Sequence, residues 1–149
     1  MNSRNLQLIL LGAALLGTLP AAAHHGTAVS YEQGSWITVK GTVTEFRWRN
    51  PHSALFLDIV DDKGEKVNYA IELPSPVLMS RSNGWTRATF KVGDTVEFRV
   101  HPSRTGAPVG ECLTDCLVYV NGELLPSRLP TGETRTEAPA AEAPPAATR

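Results

Sequence analysis

Across residues 36–125 the apolar residues recur mostly at every second position, the period of half-buried strands rather than the 3.6-residue period of helices. In the first run, Ile37, Val39 and Val43 share one phase while Phe46 and Trp48 take the other. A one-residue slip sends every later side chain to the opposite face, so this change predicts a bulged strand, with Gly41 easing a sharp bend. Leu55, Leu57 and Ile59 predict a second strand, Asp61-Asp62-Lys63-Gly64 a turn, and Val67, Tyr69, Ile71 and Leu73 a third strand. Pro74-Ser75-Pro76 ends it. Ser75 as N-cap and Pro76 at the first helical position predict a short helix from 77 to about 82, stopped by Asn83-Gly84. Lys91-Val92-Gly93-Asp94 turns into a fourth strand, with Val96, Phe98 and Val100 inward and Glu97 and Arg99 outward. A fifth strand is expected over 117–120, and Asn121-Gly122 turns a hairpin to Leu124-Leu125. Three strands, a short helix and two strands, with a long bent first strand, form the order of a five-stranded OB-like β-barrel. A small β-sandwich gives the same alternation and stands as the alternative all-β architecture.

The ends read differently. Met1 to Asn5 carries Arg4, residues 6–19 are rich in leucine, alanine and glycine, and Ala21-Ala22-Ala23 offers a small-residue cleavage site. Residues 1–23 therefore read as a secretory signal peptide, too short in its apolar part for the roughly 20 residues that span a bilayer. The mature chain is expected in the periplasm or secreted, with no membrane insertion after cleavage. Residues 24–35 read as an extended N-terminal arm, residues 36–125 as the barrel domain, and residues 126–149, composed mainly of Pro, Ala, Glu and Thr, as a disordered tail. Without residues 1–23 the chain has 13 Lys and Arg against 15 Asp and Glu. Nothing resembles the clustered basic face that nucleic acid requires. The expected partner is a periplasmic protein or a small ligand.

Cys112 and Cys116 are the only cysteines, and in an exported chain such a pair is expected to form a disulfide. Residues four apart on one strand lie about 13 Å apart, whereas a disulfide tolerates a Cα separation of about 4.4–6.8 Å. A bridged segment must therefore bend; two free thiols or a C-x3-C soft-metal site are the alternatives.

All four histidines, His24, His25, His52 and His101, lie beyond the signal segment. Cleavage after Ala23 would leave an α-amine beside two imidazoles, a donor set suited to copper and similar late first-row metals. Cleavage after Ala22 would instead give Ala23-His24-His25 and put His25 third, in the position of an amine-amide copper chelate. Asn50-Pro51 predicts a turn that carries His52 to the barrel rim, and His101 ends the fourth strand. His52 equally suits a turn-holding role through a backbone carbonyl. No serine-hydrolase, zinc-protease, haem-attachment or phosphate-loop motif is present, so enzymatic activity has little support. Asp58, Asp61 and Asp62 beside Gly64 are explained by the hairpin turn.

Taken together, His24-His25, Gly41-Thr42-Val43-Thr44-Glu45, Trp48-Arg49-Asn50-Pro51-His52, Gly84-Trp85-Thr86 and Val92-Gly93-Asp94 resemble a family of small exported bacterial proteins, domain of unknown function 6152. The similarity covers nearly all of residues 24–125. It implies export and a barrel-like domain but no established activity, and the cysteine pair is not part of the pattern. The leading expectation is a periplasmic binding module for copper or a similar ion, through His24 and His25 with help from His52 or His101. One rival is a metal-free adaptor contacting a protein or small organic ligand through Trp48, Asn50, Phe56 and Trp85. The other is a copper-dependent oxidoreductase with an N-terminal histidine brace.

Overall fold

Strand β1 (Ile37–Arg47) is long enough to serve two neighbours, and this closes the barrel. Its residues from Ile37 to Thr42 pair with β4 (Thr95–Pro102), while those from Thr42 to Arg47 pair with β2 (Ser53–Val60). The computed structural model describes residues 29–128, 132–135 and 137; the expected signal peptide, His24, His25 and most of the expected tail lie outside them. The remaining elements are β3 (Lys66–Leu73), α1 (Pro76–Asn83), β5 (Val109–Glu111), β6 (Leu117–Val120), β7 (Glu123–Leu124), β8 (Ser127–Arg128) and β9 (Thr134–Arg135). The closed order is β1-β2-β3-β5-β4 and back to β1, antiparallel except for the parallel β3–β5 pair. Closure removes the sandwich alternative.

The register of β1 against β2 shifts between Val43 and Glu45, where the apolar phase changes. Gly41 serves less as a bend than as a gap. A Cβ built there would lie 2.5 Å from the Asp58 carbonyl oxygen and 2.8 Å from Ile59 Cγ2. Inside the barrel, Leu55, Leu57, Ile71, Leu73, Val96, Phe98 and Val100 are fully buried. Each large aliphatic among them contributes roughly 1.5–3 kcal/mol by leaving water. Helix α1 begins and ends where its caps predict: Ser75 Oγ accepts from the Leu78 N–H, and Gly84 closes the helix at φ 70°. Met79 on α1 is buried against the barrel, and Trp85, Phe90 and Phe98 pack edge-on or tilted nearby.

Two boundaries move. The fifth barrel strand is Val109–Glu111, not 117–120; β6 instead pairs with Val96 to Arg99 of β4 and extends the sheet beside the barrel. Three residues with one large apolar side chain have no readable period, so only pairing with β3 and β4 defines β5. The ordered body also continues past Leu125, because β8 pairs with β9. Pro126 O accepts from Trp85 Nε1 at 2.8 Å, the buried Ser127 hydroxyl donates to Cys116 O, and Arg135 pairs with Asp115. Polar contacts dock this segment, and a composition that lacks large apolar residues does not reveal them.

Cys112 and Cys116 lie at disulfide-bonding distance with Cα atoms 5.6 Å apart, in a loop bent through Asp115 at φ 55°. The Asn121-Gly122 hairpin turn has both residues at positive φ, 52° and 86°, as expected for a tight turn.

Candidate functional site

Because alternate residues of a strand face opposite ways, Glu72, between buried Ile71 and Leu73, points out of the barrel. Its register partners follow it onto the outer wall: Ala54 pairs with Glu72, Glu72 with Glu111, and Glu111 with His101. Four adjacent strands thus carry two carboxylates and an imidazole in one row.

The segment before β1 lies across that row. Tyr31 bridges to Ser103, the Glu32 N–H donates to Pro102 O at 2.9 Å, and the Arg104 N–H donates to Ser30 O at 3.0 Å. Side chains complete the docking. The Tyr31 hydroxyl donates to Glu72 Oε2 at 2.8 Å, Gln33 Nε2 donates to Glu111 Oε1, and Arg104 pairs with Glu32 at 3.0 Å. Trp36 covers the His101 ring with centroids 3.6 Å apart. This cover helps leave Glu111 only 2 % exposed, with its Oε2 unpartnered among the described residues. Ser53 Oγ, at the start of β2, is likewise buried without a partner there.

His52 follows the cis Asn50-Pro51 bond and turns back so that Nδ1 meets Glu72 Oε1. A carboxylate holds this ring through Nδ1, so Nε2 is the ring nitrogen left to meet another partner. The side chain is 44 % exposed. Glu72 therefore holds the arm through one oxygen and His52 through the other. His101 places Nδ1 2.7 Å from Ser35 O, also a donor arrangement.

His52 and His101 share the wall but do not meet, since Glu72 and Glu111 stand between them on strands about 4.8 Å apart. Among the described residues no group of three or more His, Cys, Asp or Glu is arranged to hold a metal ion. His24 and His25 lie outside those residues. Of the expected contact residues, Trp85 is 2 % exposed and belongs to the core, so it offers no ligand surface. Trp48 packs edge-on against Phe46 at 5.5 Å, Arg47 lies 4.3 Å over the Phe56 ring, and Asn50 is exposed in its turn.

Tyr31, Gln33, Glu72 and Glu111 were absent from the sequence expectation. Glu72 occupies an outward strand position that reads as ordinary solvated surface, and nothing in the arm's composition says where it docks.

Burial, then the Glu72 hydrogen bond and the negative charges of Glu72 and Glu111, hold the Tyr31 hydroxyl neutral far above the usual phenol range. Burial alone pushes the Tyr69 hydroxyl up to about 12. A raised pKa means the folded chain binds the proton more tightly, so this stability is complete below about pH 10, the unfolded phenol value, and is lost as pH rises toward 12. Tyr69→Phe should therefore flatten the fall in thermal midpoint between about pH 10 and 12. An unchanged alkaline slope would show that Tyr69 ionises without cost.

A family model described as "Family of unknown function (DUF6152)" matches residues 13–112, more than half of the chain. No curated protein and no solved structure matches.

Proposed function

We propose, for a chain that belongs to the family of unknown function DUF6152, an exported binding module that holds copper or a similar late first-row metal ion. The ligands are the amine and imidazoles of a terminus starting at His24-His25, joined by His52. One observation carries this reading: Glu72 binds Tyr31 and His52 together, so the arm that leads to the two histidines is anchored beside an exposed imidazole that Glu72 holds through Nδ1. Amine and imidazole nitrogens suit copper and zinc. A carboxylate on the far nitrogen of a ligating histidine is the usual support for such a ring. The signal-like residues 1–23 support export. No bond-making step enters the reading. The metal-free adaptor has less behind it, because Trp85 is occupied in the core.

Titration calorimetry with copper(II) near neutral pH tests this. A chain beginning at His24 is expected to bind tightly, and more weakly in acid because every ligand must lose its proton to coordinate. Residues added before His24 should weaken binding at least about ten-fold, since they remove the α-amine and leave both imidazoles. His52→Ala should weaken it further. Equal affinity for authentic and extended chains would end the terminal-chelate reading in favour of the adaptor.

A further inference from the structure

The structure assigns to the Cys112–Cys116 bridge the role of a redox latch: oxidised, it holds β8 and β9 on the barrel, and reduced, it lets them go. The strand registers show where the bridge sits. β4 pairs His101 with Glu111 of β5 and Arg99 with Leu117 of β6, so Val100 alone stands opposite the five residues from Cys112 to Cys116. β5 and β6 are therefore one strand interrupted by a bulge, and the cysteines form the two sides of its neck, with Cα atoms 5.6 Å apart. Cys112 is fixed on the β3 side, where its N–H donates to Glu72 O at 2.9 Å.

The carboxyl-terminal segment docks on that bulge. The buried Ser127 hydroxyl donates to Cys116 O, and Arg135 pairs with Asp115 in the looped-out part. The Arg135 side chain is only 11 % exposed, and its Nη1 is without a partner among the described residues. Asp115 supplies the opposite charge that makes this burial tolerable. Asp115 itself is held at φ 55°, a left-handed backbone conformation that residues bearing a Cβ seldom adopt. With the neck open, nothing covalent keeps Asp115 in that conformation. Its carboxylate leaves Arg135, and the unpaired guanidinium returns to water, taking β9 and β8 with it.

Opening the neck is a thiol–disulfide exchange with a dithiol. One thiolate of the reductant attacks a sulfur of the pair and the Cys112–Cys116 bond breaks; the second thiol then closes the reductant's own disulfide, and Cys112 and Cys116 each take up a proton. The dithiol supplies both electrons. Cys112 and Cys116 are 0 % and 3 % exposed, and Ser127 is seated on Cys116, so the segment must lift before the dithiol reaches sulfur. Reduction loosens the segment, and loosening the segment speeds reduction.

The test is hydrogen exchange on the full chain, oxidised or held in dithiothreitol, read at the backbone amides of β8 and β9 and, for comparison, of β1 and β2. Reduction is expected to speed exchange in β8 and β9 about ten- to thirty-fold, the upper figure being the chain-entropy factor for closing so short a loop. Exchange in β1 and β2 should stay the same. Cys112→Ala combined with Cys116→Ala should reproduce the change without reductant; if that variant does not fold, the reduced parent makes the comparison by itself. Asp115→Asn, with the bridge intact, should be reduced faster by dithiothreitol than the parent, followed by thiol labelling. Equal exchange in β8 and β9 with and without the bridge overturns the latch. So does a rise in β1 and β2 that keeps step with it, because the bridge would then hold the whole barrel. An unchanged rate of reduction in Asp115→Asn overturns the gating of the sulfurs by the segment.

Discussion

Trp85→Ala is expected to remove about 3–5 kcal/mol of stability, the range for deleting a large buried aromatic and leaving a cavity. The indole is 2 % exposed and meets Phe90 and Phe98 edge-on, with ring centroids at 5.4 and 6.4 Å. Its Nε1 donates to Pro126 O at 2.8 Å, so the substitution also strips a hydrogen bond from the segment that leads into β8. A domain of this size has a total stability of about 5–15 kcal/mol, so the variant should be largely unfolded in urea concentrations the parent tolerates. Trp85→Phe keeps part of the volume but not the donor and should lose less. A midpoint for Trp85→Ala within about 1 kcal/mol of the parent would mean that the indole is a surface contact, as the adaptor reading requires.

Gly41→Ala is the second large effect. In most strands this change is favourable or neutral, because glycine surrenders about 0.5–1 kcal/mol more backbone entropy than alanine. Here the added Cβ would sit 2.5 Å from Asp58 O and 3.1 Å from Asp58 C, and the obstruction is backbone rather than a side chain that can turn aside. Gly41 pairs with Val96 and the next residue, Thr42, pairs with both Asp58 and Thr95, so β1 cannot withdraw from β2 without disturbing its seam with β4. Overpacking costs of about 1–3 kcal/mol, and more where backbone must move, exceed the entropy gain. The thermal midpoint is expected to fall by about 10 °C or more. A midpoint equal to or above the parent's would show that the seam yields, and that the glycine is present for another reason.

These two positions mark different kinds of legibility. Trp85 follows the Asn83-Gly84 helix stop, and its aromatic bulk favours core or rim packing while still admitting ligand contact; burial against Phe90 and Phe98 selects the core. Gly41 marks an irregularity of β1 in the sequence, yet the close approach of Asp58 depends on a strand 17 positions later in the chain.

Local chemistry alone determined the β-character, the bulge, the caps of α1 and the Asn121-Gly122 turn. Period, turn preference and capping are short-range effects, so a window of a few residues contains their causes. Tertiary pairing decided what those windows cannot contain. Val109–Glu111 becomes a barrel strand because β3 and β4 each leave an edge for it, and Glu111 is buried because Gln33, 78 positions earlier, reaches it. The candidate site belongs to this second class. Tyr31, His52 and Glu72 come from an arm, a turn and a strand, and only closure of the barrel brings their polar atoms within hydrogen-bonding range.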